Sequence, residues 1–491
     1  MRAAPLTSLS IAVLGLLAGC ALNQGAVRAP ELPAQARADP TRFVVITVRN
    51  DPGPVIATPG STPRGYGGVS TYQVSASARA TAHSLERDYR LREVSAWPIE
   101  SLRVHCIVVR LPDLTPRTTL IAQLARDSRV ESVQPLNEFS TQTESRGNAD
   151  SDVPAQLSTN RPYLPLQVNL TELEVLQAHK LSQGAEVRIA IIDTGVDYQH
   201  PDLQGRIVAR ADFVAGGGQF TGDRHGTEVA GVIAATAGGG AGVLGVAPES
   251  RLIALKACWP LPQNAAEAAC DSFTLAQALQ AAITARANIV NLSLAGPPDP
   301  LLARLIHYGM SRGIIYVGAV APVRSGLANA FPVDIPGVLG VQSAEDAAAS
   351  SRHLLAPGHG ILTLVPGGRY DFASGSSLAT AEVTGIVALL LADGRRLPQA
   401  RVEQILTRSS RQLTTPTGIL TSVNACAAVA DALARAGCEA IDPPSTRLQE
   451  SVKLTQHTVR ALGPDPRAPI VVAHAGLWPN SRAGVAQAMP Q

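Results

Sequence analysis

The stretch "VRIAIIDTGVDYQHPDL" (187–203) determines how the rest of the chain is interpreted. It begins with a short, mostly apolar run and reaches a carboxylate at Asp193. Short continuous apolar runs are typical of strands that are buried on both faces of a parallel sheet. Open α/β sheets place their functional groups at the carboxyl ends of such strands. The stretch therefore predicts a buried strand that brings Asp193 to a site.

Further apolar runs extend this prediction along the chain. They read "RLIALKA" (251–257), "NIVNLSL" (288–294), "GIIYVGAV" (313–320) and "VLGVQSA" (338–344). Helical patterns separate them at "LAQALQAAITARA" (275–287) and "PLLARLIHYGMSRG" (300–313). Strands that alternate with helices indicate an α/β fold with a mostly parallel sheet. We assign this domain to residues 166–440.

A smaller α+β unit is predicted at residues 42–137. Strand patterns at "RFVVITV", "VHCIVVRL" and "RVESVQPL" alternate with helical patterns at "SASARATAHSLERDY" and "TPRTTLIAQLARDS", the last capped by Thr115. These patterns supply three of the four strands of a β-α-β-β-α-β order, which suits a ferredoxin-like sandwich. Residues 21–41 are predicted to be a flexible tether. We interpret residues 138–165 as an exposed, cleavable linker and residues 441–491 as a loosely ordered tail.

The first twenty residues have the layout of a secretory signal peptide. Met1–Arg2 carries positive charge, and the apolar stretch "LTSLSIAVLGLLAG" runs into Cys20. This is the arrangement of an export signal, and it is short for a membrane span. The residues "LAGC" resemble the lipobox of bacterial lipoproteins. The resemblance implies that lipid is attached to Cys20 and anchors the protein in the cell envelope; the alternative is an ordinary signal peptide cut nearby.

Composition excludes some classes of partner and cofactor. The chain has 491 residues, of which 16% are charged, and a net charge of +2. A near-neutral chain without basic blocks has no electrostatic footprint for nucleic acid. The sequence contains no H-E-x-x-H, and its glycine runs at 216–218 and 238–240 lack the Lys and Ser/Thr of a phosphate loop. We therefore expect no metal and no cofactor.

Six cysteines provide a prediction about disulfides. If Cys20 carries lipid, the pairs Cys258/Cys270 and Cys426/Cys438 are each close in sequence, and Cys106 is left over. An exported protein meets an oxidising compartment, which favours these two local disulfides. The alternative is that all five remaining cysteines are buried thiols.

Two more stretches complete a candidate catalytic set with Asp193. "DRHGTEVAGVIAA" (223–235) puts His225 at the start of a helix, and "GSSLATAEVTG" (375–385) puts Ser376 and Ser377 at the start of another. A serine becomes a strong nucleophile when a base removes its proton and a carboxylate fixes the tautomer of that base. The stretch around these serines resembles the nucleophile motif of the subtilisin-like serine peptidases, which implies that Ser377 is the nucleophile and that Ser376 bonds to backbone or caps the helix.

The three motifs resemble those of the subtilisin-like serine peptidases, and they occur in that family's order. The linking pieces "GVAPESRLIALK", "NLSLAG" and "LAPGHGI" also match. The resemblance implies a three-layer subtilisin-like fold and a serine endopeptidase that works through an acyl-enzyme. It also implies that residues 42–137 act as a propeptide, the protein's own partner. Peptide or protein substrates would bind in extended form along Ser293, Leu294, Ala295 and Gly296.

One position departs from the family pattern. The family usually carries an oxyanion-binding Asn where this chain has Pro322, which donates no hydrogen bond. Losing such a donor costs on the order of 3 kcal/mol of transition-state stabilisation. Either the Ser377 N–H acts alone in a slow enzyme, or Arg324, Ser325 or Asn329 substitutes, or the protein no longer cuts peptides. The retained triad favours activity.

Two other functions stay open at this stage. The first is a pseudoprotease, an envelope lipoprotein that grips extended peptides along residues 293–296 without cutting them. The second is an envelope interaction protein that acts through its tail at 441–491.

Overall fold

The structure is a computed structural model that describes residues 30–51, 73–113, 115–141, 163–214, 219–237, 242–261, 264–321, 331–348, 351–415 and 418–435. An N-terminal α+β domain packs against a larger α/β domain. One apolar core contains residues of both, including Trp97 from the first domain and Phe273 from the second, whose rings meet edge to face at 4.5 Å. The predicted tail and the predicted lipid site lie outside the described residues.

The N-terminal domain has the predicted β-α-β-β-α-β order. Its elements, after a short helix α1 (Ala34–Ala38), are β1 (Phe43–Arg49), α2 (Ala76–Tyr89), β2 (Arg92–Ile99), β3 (Val104–Arg110), α3 (Arg117–Leu124) and β4 (Ser132–Pro135). The four strands form an antiparallel sheet in the order β2-β3-β1-β4. Ser75 caps α2 by accepting a hydrogen bond from the Ala78 N–H. The prediction for Thr115 is wrong, because α3 begins after Pro116 without a side-chain cap.

A fifth strand, β5 (Glu138–Thr141), leads out of the N-terminal domain. The larger domain follows and contributes the remaining elements. Its helices are α4 (Val168–Glu172), α5 (Val175–Ala178), α6 (Arg224–Ala234), α7 (Ser272–Thr284), α8 (Pro300–Ser311), α9 (Ser376–Leu391), α10 (Gln399–Ser409) and α11 (Ala425–Ala432). Its strands are β6 (Arg188–Asp193), β7 (Ile207–Asp212), β8 (Arg251–Lys256), β9 (Cys258–Leu261), β10 (Asn264–Asp271), β11 (Ile289–Leu292), β12 (Leu294–Ala295), β13 (Ile315–Ala319), β14 (Leu339–Ser343), β15 (Leu354–Ala356), β16 (Ile361–Val365), β17 (Arg369–Ala373), β18 (Arg411–Thr415) and β19 (Gly418–Ser422).

A seven-stranded parallel sheet forms the centre of this domain, in the order β15-β14-β13-β11-β6-β8-β7. The α/β prediction is therefore confirmed. All five strands expected from apolar runs are in this sheet, as β6, β8, β11, β13 and β14. The two outermost strands were not predicted, since edge strands need no continuous apolar run; most of β7 is exposed or half-buried.

Helix α9 runs through the core, and all sixteen of its residues are buried. Among the described residues, one helical stretch, Ser376–Gly394, is long and apolar enough to cross a membrane, and 89% of its apolar window is buried inside the protein. Its apolar character is therefore accounted for by packing against the sheet, α6 and α11.

Two segments that were predicted to be flexible are ordered and packed. Residues 30–38, the end of the predicted tether, contribute the buried side chains Leu32 and Ala36 to the core between the domains. Residues 138–141, the start of the predicted exposed linker, form β5 and bury Phe139 and Thr141. Both predictions were wrong for these residues, because polar and proline-rich sequences become ordered when another part of the fold binds them. The rest of the linker up to residue 162 lies outside the described ranges.

Helix α9 contains one buried acid, Glu382, which has 0% of its surface exposed. Neither carboxylate oxygen has a hydrogen-bond partner in the part of the chain that the structure describes. Burial raises the pKa of Glu382 well above its usual value, and the nearby side chain of Asn169 offsets this only in part. Burial therefore favours the neutral, protonated form of this side chain.

We expect the Glu382→Gln variant to be more stable than the parent at alkaline pH. Because the folded-state pKa lies above the unfolded one, the parent loses stability as the pH rises above about 4.5, by up to about 1.4 kcal/mol per pH unit. Urea unfolding at a series of pH values should show the difference growing from pH 4 to pH 9. Glu249→Gln, at an exposed position, is the control. Parallel stability curves for Glu382→Gln and the parent would contradict the neutral-acid assignment.

Candidate active site

The structure brings Asp193, His225 and Ser377 together from three distant stretches. His225 Nδ1 donates to Asp193 Oδ1 at 2.7 Å, and Ser377 Oγ lies 3.0 Å from His225 Nε2. All three side chains are almost fully buried. Since Nδ1 carries the proton that Asp193 accepts, Nε2 is left with a lone pair aimed at the serine hydroxyl. This is the arrangement of a proton relay.

Secondary structure places each of the three groups. Asp193 is the last residue of β6, His225 lies in the first turn of α6, and Ser377 is the second residue of α9. The residue before α9, Gly375, has φ +144° and ψ 162°, a conformation available essentially to glycine alone. Its N–H donates to the Gly358 carbonyl at 2.7 Å, which fixes the turn that presents Ser377.

Ser376 does not have the role expected from the sequence. Its Oγ is buried, and no described residue makes a hydrogen bond with it. The residue that precedes the helix is Gly375, which has no side chain to cap it. Ser376 is instead the first residue of α9, so it lies one position too late in the chain to be the helix cap.

A buried ion pair ties the Asp193 segment to the His225 segment. Lys256, the last residue of β8, is fully buried and pairs with Asp223, which precedes α6. The same Asp223 oxygen accepts the Gly195 N–H at 2.7 Å. The sequence analysis missed this pair. Its signal was a lysine inside the apolar run "RLIALKA", since a buried lysine requires a partner.

Direct hydrogen bonds join the same two segments. The Gly226 N–H donates to Thr194 Oγ1 at 2.9 Å, and the Asp197 N–H donates to Thr227 Oγ1 at 2.9 Å. The Thr194 N–H donates to Asp193 Oδ1 at 2.6 Å, so this oxygen accepts hydrogen bonds from both the backbone and the imidazole. The start of α6 and the loop after β6 are therefore held as one unit.

The charges around His225 favour its protonated form. Burial alone lowers the pKa of His225, but the charge and hydrogen bond of Asp193, together with the charge of Glu228, raise it above its usual value. Glu228 is buried and pairs with Arg224 at 2.6 Å, and Arg224 also reaches Asp371 at 2.7 Å. An imidazolium formed next to Ser377 is therefore stabilised.

The predicted substrate-binding edge, Ser293–Gly296, lies beside Ser377. Ser377 Oγ is 3.0 Å from the Ser293 carbonyl oxygen, and Ser293 Oγ donates to the Ser377 carbonyl at 3.1 Å. Leu294 and Ala295 form β12, and Gly296 exchanges two backbone hydrogen bonds of 3.1 Å with Phe331. The edge is thus fixed to both the nucleophile and the neighbouring loop.

The chain's own strand β5 occupies the position expected for an extended peptide. It lies between β12 and β10 in a sheet of order β12-β5-β10-β9. Thr141 pairs with Leu294 and Ser140 with Ala295 on one side, and Phe139 pairs with Cys270 on the other, all antiparallel. From Ser140 to Thr141 the paired position moves from Ala295 to Leu294, so β5 runs toward Ser293 and the neighbouring Ser377.

The Phe139 side chain fills an apolar site next to this edge. Its ring is 3% exposed and meets the Phe331 ring edge to face at 5.1 Å. A Cβ added at Gly296 would lie 2.3 Å from a Phe139 ring carbon. The absence of a side chain at Gly296 therefore makes room for a large ring.

The remaining predicted residues fall in different parts of the structure. Cys258 and Cys270 form a disulfide, across directly paired positions of β9 and β10. Cys426 is disulfide-bonded, its predicted partner Cys438 lies outside the described residues, and Cys106 is a buried free thiol. Cys20, Pro322 and the alternative donors Arg324, Ser325 and Asn329 also lie outside. In the described ranges no group of three His, Cys, Asp or Glu side chains is arranged to hold a metal ion.

Comparisons with known proteins match the larger domain. The Subtilase family matches residues 184–436. The thermophilic serine proteinase of Bacillus sp. (strain AK1) is 34% identical over 227 residues, which are 44% of this chain and 54% of that protein. The intracellular serine protease of Paenibacillus polymyxa is 32% identical over 263 residues, 48% of this chain and 75% of that protein.

A solved structure shares the fold. Fervidolysin from Fervidobacterium pennivorans, a keratinolytic enzyme related to subtilisin, superposes with a TM-score of 0.57 at 21% identity. The match covers 79% of this chain and 60% of fervidolysin. The chain thus spans only about half to two thirds of the length of fervidolysin and of the Bacillus sp. (strain AK1) proteinase. The family match over residues 184–436 and the identity to these two proteases show that the chain belongs to the Subtilase family of subtilisin-like serine peptidases.

Proposed function

We propose that the protein is a serine endopeptidase that uses Asp193, His225 and Ser377 and is made as an inhibited precursor. Ser377 Oγ attacks the peptide carbonyl carbon while His225 Nε2 takes its proton. The same proton passes to the leaving amine as the C–N bond breaks, which leaves an acyl-enzyme. Water, deprotonated by His225, then releases the acid and restores the serine. Asp193 holds the imidazole tautomer and stabilises its positive charge.

The hydroxyl-to-imidazole distance of 3.0 Å is the observation that carries this proposal. It lies within the range in which a base can remove a proton. The start of α9 adds a favourable field, because a helix N-terminus stabilises negative charge beside Ser377. The Ser377 N–H at this helix start would donate to the developing oxyanion.

Strand β5 supports the proposal of an inhibited precursor. It fills the edge that a substrate would pair with, so no peptide can bind there while β5 stays. Residues 42–141 would then be a propeptide, and the cleft would open only once the linker is cut and β5 leaves. The N-terminal domain itself buries apolar surface against α7 and α8, which holds it in place.

A peptide-binding protein that does not cut is the second candidate, and Pro322 favours it. Without a side-chain oxyanion donor the reaction would lose roughly a hundredfold or more in rate. Such a protein would stay full length with its N-terminal domain attached.

A fluorophosphonate probe distinguishes these candidates. We expect a cut form of the wild-type protein, shortened within the linker, to be labelled, because only a cut form can release β5 from the cleft. Ser377→Ala should stay full length and unlabelled. Ser376→Ala, which removes a neighbouring buried hydroxyl, should still be labelled. A wild-type chain that stays intact and unlabelled under conditions in which it is folded would favour the binding protein.

The Phe139 site indicates which peptides bind well. A peptide residue opposite Ser293 would lie next to Ser377, and the residue that takes the place of Phe139 is three positions before it. The aromatic Phe331 and the open space above Gly296 suit a large apolar ring there. We propose peptides with an aromatic residue at this position as the preferred substrates.

The Gly296→Ala variant should lose this preference. The added carbon would occupy space that the ring needs, so KM for a fluorogenic peptide with Phe at this position should rise about tenfold or more. KM for the matched peptide with Ala there should change less than twofold, which controls for damage to the strand. An equal rise for both peptides would contradict the assignment of the aromatic site.

We further propose that the protein is a lipid-anchored component of the cell envelope. The charged start, apolar stretch and "LAGC" sequence before Cys20 support this. Lipid attached to Cys20 would anchor the protein in the membrane.

Mass spectrometry of the protein purified from its envelope tests the anchor and the cut together. We expect a fragment that begins at Cys20 with the added mass of acyl chains and ends within residues 142–165. Cys20→Ser should abolish the added mass and release the protein from the membrane fraction. A mature N-terminus with an unmodified mass would contradict the lipid anchor.

A further inference from the structure

The segment Pro30–Ala38, which precedes the N-terminal domain, contacts the peptidase domain directly. Leu32 is 3% exposed and Ala36 fully buried, and both belong to the apolar cluster that contains Phe273 and Ala276 of α7. The Gln277 side chain donates to the Pro30 carbonyl at 3.3 Å. Helix α1 has only five residues, too few to be stable in isolation, so docking on α7 holds its conformation.

A cation–π contact fixes the far end of this segment. The Arg37 guanidinium carbon lies 4.9 Å from the centre of the Trp259 ring in β9. The Arg37 charge also acts on Asp271 at the end of β10: burial raises the pKa of Asp271 to about 6, and Arg37 opposes that rise. The segment therefore binds the β9–β10 hairpin that Cys258–Cys270 closes.

The same N-terminal portion of the chain contacts the hairpin at two places. Strand β5 pairs with β10, and Pro30–Ala38 contacts Trp259 of β9 and packs in the same apolar cluster as α7. Between them, the N-terminal domain makes polar contacts with α8. Gln134 accepts the Leu301 N–H at 2.9 Å, and Glu131 pairs with Arg304.

We infer that Pro30–Ala38 is a second docking segment that keeps the N-terminal portion, residues 30–141, bound to the peptidase domain after the linker is cut. The docking segment, the N-terminal domain and β5 are linked in one chain, so rebinding of any of these contacts is intramolecular while another holds. Release of β5 alone therefore does not free the portion. The role of this docking in inhibition rests on the proposed precursor, whereas the binding itself does not require peptidase activity.

This role differs from that of β5. Strand β5 occupies the substrate edge and would block the cleft. The docking segment touches neither Ser377 nor the Ser293–Gly296 edge in the described contacts. It would therefore set how long the block lasts and not whether the cleft is blocked.

Dissociation rates of a cut but inactive protein test the inference. The full chain with Ser377→Ala receives a recognition site for an external protease within residues 142–162 and is cut there. Departure of the N-terminal portion from the immobilised peptidase portion is then timed. Leu32→Asp and Arg37→Ala should each speed dissociation at least tenfold. Gln35→Ala, on the exposed side of α1, should stay within twofold of the parent.

Folding and activity are separated from docking in this design. The uncut variants are compared with the uncut parent by circular dichroism and urea unfolding, which identifies a variant that fails to fold. If Leu32→Asp fails to fold, the dissociation rate of Arg37→Ala tests the inference by itself, since this variant removes no core side chain. Dissociation of both variants at the parent's rate would overturn the inference. Failure of the proposed peptidase activity would appear separately, as absence of fluorophosphonate labelling in the wild type.

Discussion

The buried contact between Asp193 and His225 is the constraint on which the active site depends. An isolated carboxylate in the interior would be neutralised, because its desolvation costs more than the fold can offset. Here Asp193 Oδ1 accepts hydrogen bonds from both the imidazole and the Thr194 backbone N–H, which compensate for its burial. The imidazole is in turn held by an anion on one side and faces a hydroxyl on the other.

Charge balance around this contact explains residues that do not take part in the chemistry. Asp223 and Glu228 add two more buried carboxylates within a few residues of His225. Lys256 compensates the first and Arg224 the second. Removing one partner of a buried pair typically costs about 3–5 kcal/mol, because it leaves the other charge uncompensated. The triad therefore requires an electrostatic surrounding that the three motifs alone do not reveal.

The fold was predictable wherever local pattern and burial agree. Apolar runs identified the five central strands of the large sheet, and the resemblance of three motifs to those of the subtilisin-like peptidases identified Asp193, His225 and Ser377 as residues that meet. Strand β7 was missed because its side chains are largely exposed, and the helix cap assigned to Thr115 failed by one residue. Such boundaries depend on neighbours in space, which a local pattern does not contain.

The segments at residues 30–38 and 138–141 illustrate a different limit. Both were interpreted as connectors because of the composition of their stretches, rich in Ala, Pro and Gln in the first and in polar residues and Pro in the second. Both are ordered by contact with the β9–β10 hairpin or its neighbours. Leu32 and Phe139 are the only large apolar residues in these segments among the described residues, and both are buried with Ala36 in the same core. Their order is a property of the interface between the domains.

This interface also decides what a cut in the linker would accomplish. The proposed lipid on Cys20 is attached upstream of the N-terminal domain, whereas the nucleophile lies downstream of the linker. A cut would therefore separate the membrane anchor from the peptidase in the covalent chain. The peptidase would remain at the membrane only as long as the N-terminal portion stays bound, and the same bound portion keeps β5 in the cleft. Departure of the N-terminal portion would consequently end localisation and inhibition together.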